Sequence, residues 1–411
     1  MLRRIKSTMS LMRDRLSPAL SHPALLDMSL SVVTRGVRPT RAGKHILVAA
    51  PGKGNIGDVA MLEAFVERIG ERAVVILGDR SDYPGIPDSV HVVALPGLIY
   101  GGGRSMVHDA FCLANLMRGA SSLSVVGADI MDGAYNSSAS ARRSIVAKWA
   151  ALSGLNSRVL GFSWNGYPHP HAIRYLRQAD GAGTRILARD PESRRRLDQE
   201  GLRAVESVAD IVFTATSVAQ LPSSIKMPHG AYAVVNASAL LGGDPKNTES
   251  YAELVTELVT DGVRVVLLPH VVRAGGDQDE LVKIYDALHG DIRAHVQLVE
   301  EELTPSQVRT VVQGATFVAT ARMHLSIMAL RQGVPAVVVA TQGKVEGLMT
   351  LFGISEFLVH PSDVSSGGLS QAVRSLRKQL APVREKVHES LTEVLELASD
   401  NFDGLEPHNG M

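Results

Sequence analysis

Arg322 and His324 lie one residue apart, inside the run from Gly314 to Val339. Phe317 to Thr320 reads as a strand and the stretch through Leu330 as a helix. Gly333 stops that helix and Pro335 opens the next strand. A guanidinium and an imidazole at a strand-to-helix junction sit where open α/β sheets bind ligands. The helix start adds N–H donors and a dipole that favours an anion. On an ideal helix two positions are roughly 200° apart, so the pair must act from the first turn or the loop before it. The chemistry this suits is capture of a small anion, with a proton carried by His324 near neutral pH.

Arg189 occupies the same kind of junction in the other half of the chain. It follows the strand Thr184 to Ala188, with Asp190 as cap and Pro191 at the first helical position. A third junction holds Gly52-Lys-Gly54-Asn55-Ile-Gly57-Asp58, between the strand His45 to Ala50 and a helix through Ile69. This is G-x-G-x-x-G, and Asp79 follows the next strand, so a dinucleotide-binding reading stays open. Asp58 at the helix start opposes a pyrophosphate there and suits a cap or a sugar hydroxyl. Asp129 and Asp132 follow the strand Ser122 to Val126, placed for acid/base or hydroxyl-binding work or for turn chemistry alone. The cluster Ser163 to His171, with Trp164 and Asn165, suits a sugar or small-acid site.

Strands alternate with helices throughout, which predicts an α/β fold of two Rossmann-like doubly wound domains facing a cleft. The expected division is a basic arm over 1–40, a first domain over 41–215 and a linker over 216–228. A second domain over 229–365, a helical region over 366–400 packing back across both domains, and a disordered tail over 401–411 complete it. The 42 basic and 42 acidic residues balance, and aromatics are 4%, so nothing favours nucleic acid. The single Cys112 excludes an internal disulfide, fits a reducing compartment and reads as core in its apolar run. No apolar run reaches the roughly 20 residues of a membrane helix, and no Cys/His or H-E-x-x-H spacing suggests a metal.

Taken together, Gly54-Asn55-Ile-Gly57-Asp58-Val-Ala60, Arg189-Asp190-Pro-Glu-Ser193 and Arg322-Met-His324, then Ala329 to Pro335 and Lys344, resemble the polysaccharide pyruvyl transferase family. The resemblance runs from about Lys44 to Leu358. It departs at Ala128, where a second glycine is common, and at Ala321, which replaces a serine. It implies a GT-B-like arrangement and transfer of pyruvate from phosphoenolpyruvate to sugar hydroxyls of a cell-surface glycan or its precursor, forming a ketal. By the same likeness Arg189, Arg322 and His324 bind phosphoenolpyruvate. Two arginines suit its carboxylate and phosphate, and Lys344 is a third cation. His324 and Asp58 are the candidate catalytic residues. Asn55, Gly57, Asp129, Asp132, Trp164 and Asn165 complete the expected substrate site. No cofactor is expected beyond phosphoenolpyruvate as donor substrate. The expected location is the cytoplasm, at the inner face of a membrane if a lipid carries the acceptor and the basic arm meets anionic lipid. The alternatives are a nucleotide-sugar glycosyltransferase or epimerase, a dinucleotide-dependent oxidoreductase, and a glycan binder without activity.

Overall fold

The computed structural model describes residues 22–40, 42–83, 85–241, 244–341 and 344–405. Seven parallel strands form the first sheet: β1 (Lys44–Val48), β2 (Ala73–Leu77), β3 (His91–Ala94), β4 (Ala120–Ala128), β5 (Asn156–Phe162), β6 (Arg185–Ala188) and β7 (Val205–Ser207). Their order is β3-β2-β1-β4-β5-β6-β7. Six more form the second: β8 (Tyr232–Asn236), β9 (Arg264–Leu267), β10 (Val296–Leu298), β11 (Phe317–Thr320), β12 (Ala336–Val339) and β13 (Leu358–Val359), in the order β10-β9-β8-β11-β12-β13. Helices cover both faces of each, so the central strands are buried on both sides and read as continuous apolar runs. Ala73–Leu77 and Ala336–Val339 are buried at every residue.

Strand order reverses between β1 and β4 in one sheet and between β8 and β11 in the other. At such a reversal the helices leave to opposite faces and open a crevice beyond the strand ends. The loop after β1 carries Gly52 to Asp58, and the loop after β4 carries Asp129. The end of β8 carries Asn236, and the loop after β11 carries Arg322. The two crevices face each other. The architecture is therefore two doubly wound domains across a cleft, as the alternation of elements predicts.

The chain ends differ from expectation. Much of the basic arm lies outside the described residues, but Pro23–Val33 is a helix packed into the first domain. Leu26 and Leu30 are fully buried, and Asp27 accepts hydrogen bonds from Lys148 and Trp149. Its apolar spacing, Leu26 to Leu30, was masked by Pro23, which begins the helix instead of breaking it. At the other end, Gly368–Lys378 and Leu380–Ser399 are two helices. Arg374 and Arg377 of the first pair with Glu257 and Asp261 in the second domain. The second helix returns to the first domain. There Asn401, fully buried, accepts from the Gly161 N–H at 2.7 Å and donates to the Ala209 carbonyl at 2.8 Å. Residues 401–405 are thus packed, not a loose tail; 406–411 lie outside the described residues. Cys112 is half-buried rather than core, with Sγ 3.6 Å from His108 Nε2.

Candidate active site

The glycine loop is shaped by the opposite domain. Gly52 and Gly54 hold φ of +72° and +73°, the left-handed region where glycine has no side-chain penalty. A Cβ on Gly54 would stand 2.6 Å from the Val272 carbonyl oxygen, and one on Gly57 only 2.2 Å from His324 Nδ1. The loop also pairs with the segment after β9. Val272 N–H donates to the Gly54 carbonyl at 2.8 Å and Ile56 N–H to the His270 carbonyl at 3.1 Å. Two of the three glycines therefore admit the second domain. Asp79, the acid of the dinucleotide reading, is exposed and occupied by Ser81, whose N–H and hydroxyl donate to it at 2.9 and 2.7 Å.

In the second domain one carboxylate organises the wall. Asp277, with no exposed surface, opens the helix Asp277–Ala287. It accepts from Asn236 Nδ2 and from the His270 and Val271 N–H groups, each at 3.1 Å. Arg322 grips it with Nε at 3.1 Å and Nη2 at 2.6 Å. Arg322 itself is the extended residue before the helix Met323–Arg331, its N–H bonded to Thr320 Oγ1, which in turn donates to Asn236 Oδ1. The ends of β8 and β11 and a helix start thus fix one guanidinium at the cleft edge. Asp277 does not stand out in the sequence because it reads as an ordinary first-turn residue.

His324 sits in the first turn beyond Arg322. Its Nε2 lies 3.4 Å from Asp210 Oδ2, without a well-aligned hydrogen bond. Asp210, buried in the first domain, also accepts from Arg189 Nη1 at 2.6 Å and from the Val212 N–H at 2.9 Å. Burial alone would raise its carboxyl; His324 and Arg189 hold it well below the usual carboxylate range. Arg189 therefore stands behind Asp210, 2% exposed, with Nε on Ser163 Oγ at 2.9 Å, and does not line the cleft. Its motif partners are structural: Asp190 caps the helix Pro191–Gln199 by accepting from the Ser193 N–H.

Asp58 faces this group from the glycine loop, partly buried, accepting from the Gly52 N–H at 3.3 Å. Burial, and then Asp129, push its carboxyl up to about 6, against the pull of His324 and Arg143. Asp129 is ion-paired with Lys344 and accepts from Tyr135 Oη at 3.2 Å. Burial would raise it, but Lys344 reverses this and keeps it ionised far below the ordinary range. Ala128 before it holds φ of +47°, which is why glycine is common there. These residues line one cleft of about 300 Å3, with Asn55, which caps its helix by accepting from the Gly57 N–H.

A second cavity of about 330 Å3 adjoins it across the Asp129–Lys344 pair. Asp132 and Asn165 line it, bonded to each other at 2.5 Å, and burial raises the Asp132 carboxyl. Trp164 also borders it but is 1% exposed, its ring edge-on to Phe162 at 6.1 Å, so it offers no open stacking face. Besides Asp277 and Asp210, sequence reasoning missed His270. It is buried on the cleft wall, among the described residues neither ring nitrogen has a partner, and burial holds the imidazole far below its ordinary value, hence neutral. Its only sequence signal is its place, three residues past the end of β9.

Among the described residues no helix is long and apolar enough to cross a membrane, and no cluster of His, Cys, Asp or Glu could hold a metal. The fold is that of GT-B-like sugar enzymes. The UDP-GlcNAc 2-epimerase from Neisseria meningitidis, bound to UDP-GlcNAc, aligns over 87% of this chain and all of its own, with a TM-score of 0.52 and 11% identity. A UDP-N-acetylglucosamine 2-epimerase from Listeria monocytogenes gives 89% and 98%, 0.53 and 12%. The sucrose-phosphate synthase from Thermosynechococcus elongatus gives 87% and 97%, 0.52 and 11%. At such identities the likeness is one of fold. A search of curated protein sequences finds no match. The family's own sequence pattern covers residues 55–343, more than half of the chain, and the chain belongs to the polysaccharide pyruvyl transferase family. It is an enzyme of the pyruvyl-transferase type, with a phosphoenolpyruvate-like donor and a sugar acceptor.

Proposed function

We propose that the cleft binds phosphoenolpyruvate between Arg322 and His324 on one wall and Asp58 and Lys344 on the other, and transfers its pyruvyl group to two hydroxyls of one sugar. The observation that carries this is the pair of anchored groups at a single junction: Arg322 on Asp277 and His324 on Asp210. Arg322 keeps Nη1 free of Asp277 to meet the carboxylate. Asp58, with its carboxyl near 6, takes the proton of the attacking hydroxyl as oxygen bonds to C2. His324, its Nε2 3.4 Å from Asp210, gives a proton to C3, turning the methylene into a methyl group. The C2–O bond to phosphate then breaks, the second hydroxyl closes the ketal on C2, and its proton leaves with the phosphate. Arg189 acts here as a positioning residue, through Asp210, rather than as a ligand. Asp132 and Asn165 in the adjoining cavity hold the acceptor ring by its hydroxyls. A lipid carrier for the acceptor, and a membrane-facing role for the basic arm, belong to this reading too.

Purified Arg322→Ala and His324→Ala proteins, shown to be folded by circular dichroism, are expected to lose roughly a hundredfold or more in kcat/KM for phosphoenolpyruvate. Mass spectrometry of the product identifies the acceptor. Turnover near wild type in both variants would refute the assignment. The nucleotide-sugar reading rests only on shared fold.

A further inference from the structure

The cations that the motifs bring to the cleft arrive already neutralised. Arg322 is matched by Asp277 and Lys344 by Asp129, while Arg189 lies behind the cleft on Asp210. Arg143 is different. It stands on the helix Ser137–Leu152, is 1% exposed, and borders both the cleft and a side cavity of about 230 Å3 beyond the ends of β1 and β2. Among the described residues it makes no ion pair. Nη2 donates to Tyr100 Oη at 2.8 Å, the guanidinium lies 5.3 Å from the centre of the Tyr100 ring, and Nε is buried without a partner. Asp58 feels its charge but is not paired with it.

Burying a guanidinium without a counter-charge is among the costliest arrangements a fold can hold. Such a group on a cavity wall is explained by an anion that arrives from outside. Arg322 and Lys344 are each offset by a carboxylate, so Arg143 supplies the positive charge on this wall that no carboxylate pairs among the described residues. Lys53, exposed on the glycine loop, borders the same two cavities and adds a second positive charge.

We propose that Arg143, assisted by Lys53, is the first-domain anion subsite of the cleft and receives the phosphate of the donor. Arg322, half-satisfied by Asp277, then takes the singly charged carboxylate. Two positive groups suit a dianion, and the planar fork of arginine matches phosphate oxygens. The assignment rests on phosphoenolpyruvate being the donor. It gives the first domain's arm of the clamp to Arg143, the place that sequence alone gave to Arg189.

Calorimetric titration of wild type, Arg143→Gln and Arg143→Lys with phosphoenolpyruvate, inorganic phosphate and pyruvate tests it. Arg143→Gln is expected to weaken phosphoenolpyruvate and phosphate roughly 30-fold or more, to leave pyruvate unchanged, and to melt no lower than wild type. Arg143→Lys is expected to recover part of the phosphate affinity, as a point charge without the fork. Should the glutamine variant fail to fold, the lysine variant's reduced phosphate affinity carries the test. Phosphate affinity within threefold of wild type in the folded variants would overturn the subsite while leaving the donor reading intact. Loss of pyruvate binding with phosphate retained would overturn the choice of phosphate. Wild-type protein that binds neither phosphoenolpyruvate nor phosphate would overturn both readings together.

Discussion

Asp58→Asn separates stability from activity at one atom. The carboxyl moves from its ordinary 3.8 in the unfolded chain to about 6 in the fold, because burial and Asp129 disfavour its charge. At 1.36 kcal/mol per pH unit this is about 3 kcal/mol of destabilisation carried by the ionised form. The sign follows from the direction. A carboxyl raised on folding costs nothing below the unfolded value, and the cost grows as pH climbs from about 4 to about 6 and then stays. The asparagine variant keeps the shape and can still accept from the Gly52 N–H, but carries no charge. It is therefore expected to be more stable than wild type by about 2–3 kcal/mol at pH 8, and nearly equal at pH 4. Paired urea melts at the two values measure this. Activity should move the other way: kcat/KM for phosphoenolpyruvate rises through pH about 6 in wild type, and falls roughly a hundredfold or more in the variant as the base is lost. A variant no more stable at pH 8 than at pH 4, relative to wild type, would refute the burial argument. One that keeps wild-type turnover would refute the base.

Three further outcomes follow from the packing. Gly57→Ala places a methyl group against the His324 ring, 2.2 Å from Nδ1 before relaxation; kcat should drop by roughly tenfold or more, while the melting temperature shifts little because alanine favours the helix. Asp277→Asn leaves Arg322 without its counter-charge and places N–H groups against N–H groups, so urea melts should show a loss of roughly 3 kcal/mol, with a raised KM for phosphoenolpyruvate. Ala128→Gly relieves a left-handed alanine and is expected to stabilise by up to about 1 kcal/mol, the strain removed less the entropy glycine adds to the unfolded chain.

The alternation of apolar strands and capped helices is local, which is why both domains were legible in the sequence, as were the junctions holding Asp58, Arg322 and His324. What escaped is what only three dimensions supply. Asp277 and Asp210 look like helix and turn caps; their work is across space, on Arg322 and His324. Arg189 was legible as a motif, yet the fold buries it against Ser163 and Asp210 rather than on the cleft wall. The glycines of G-x-G-x-x-G resemble a pyrophosphate cradle because glycine signals close approach without naming what approaches; here it is Val272 and His324. His270 and Arg143 belong to no motif: imidazole nitrogens without partners and a guanidinium without a counter-charge, among the described residues, are defined by what is missing around them.

The backbone pairing of Gly54 to Ile56 with His270 to Val272 makes the cleft a clasp as well as a container. Its two hydrogen bonds flank Asp58 on one side and the Arg322 anchor on the other, so separating the domains unfastens the catalytic walls at the same moment. Opening the domains would part Gly57 from His324, so the proposed chemistry requires the fastened state. The amides of Ile56 and Val272 become natural reporters of that cycle: their hydrogen exchange should slow when a ligand holds the clasp shut, and the unliganded rate sets how often the door opens for the sugar.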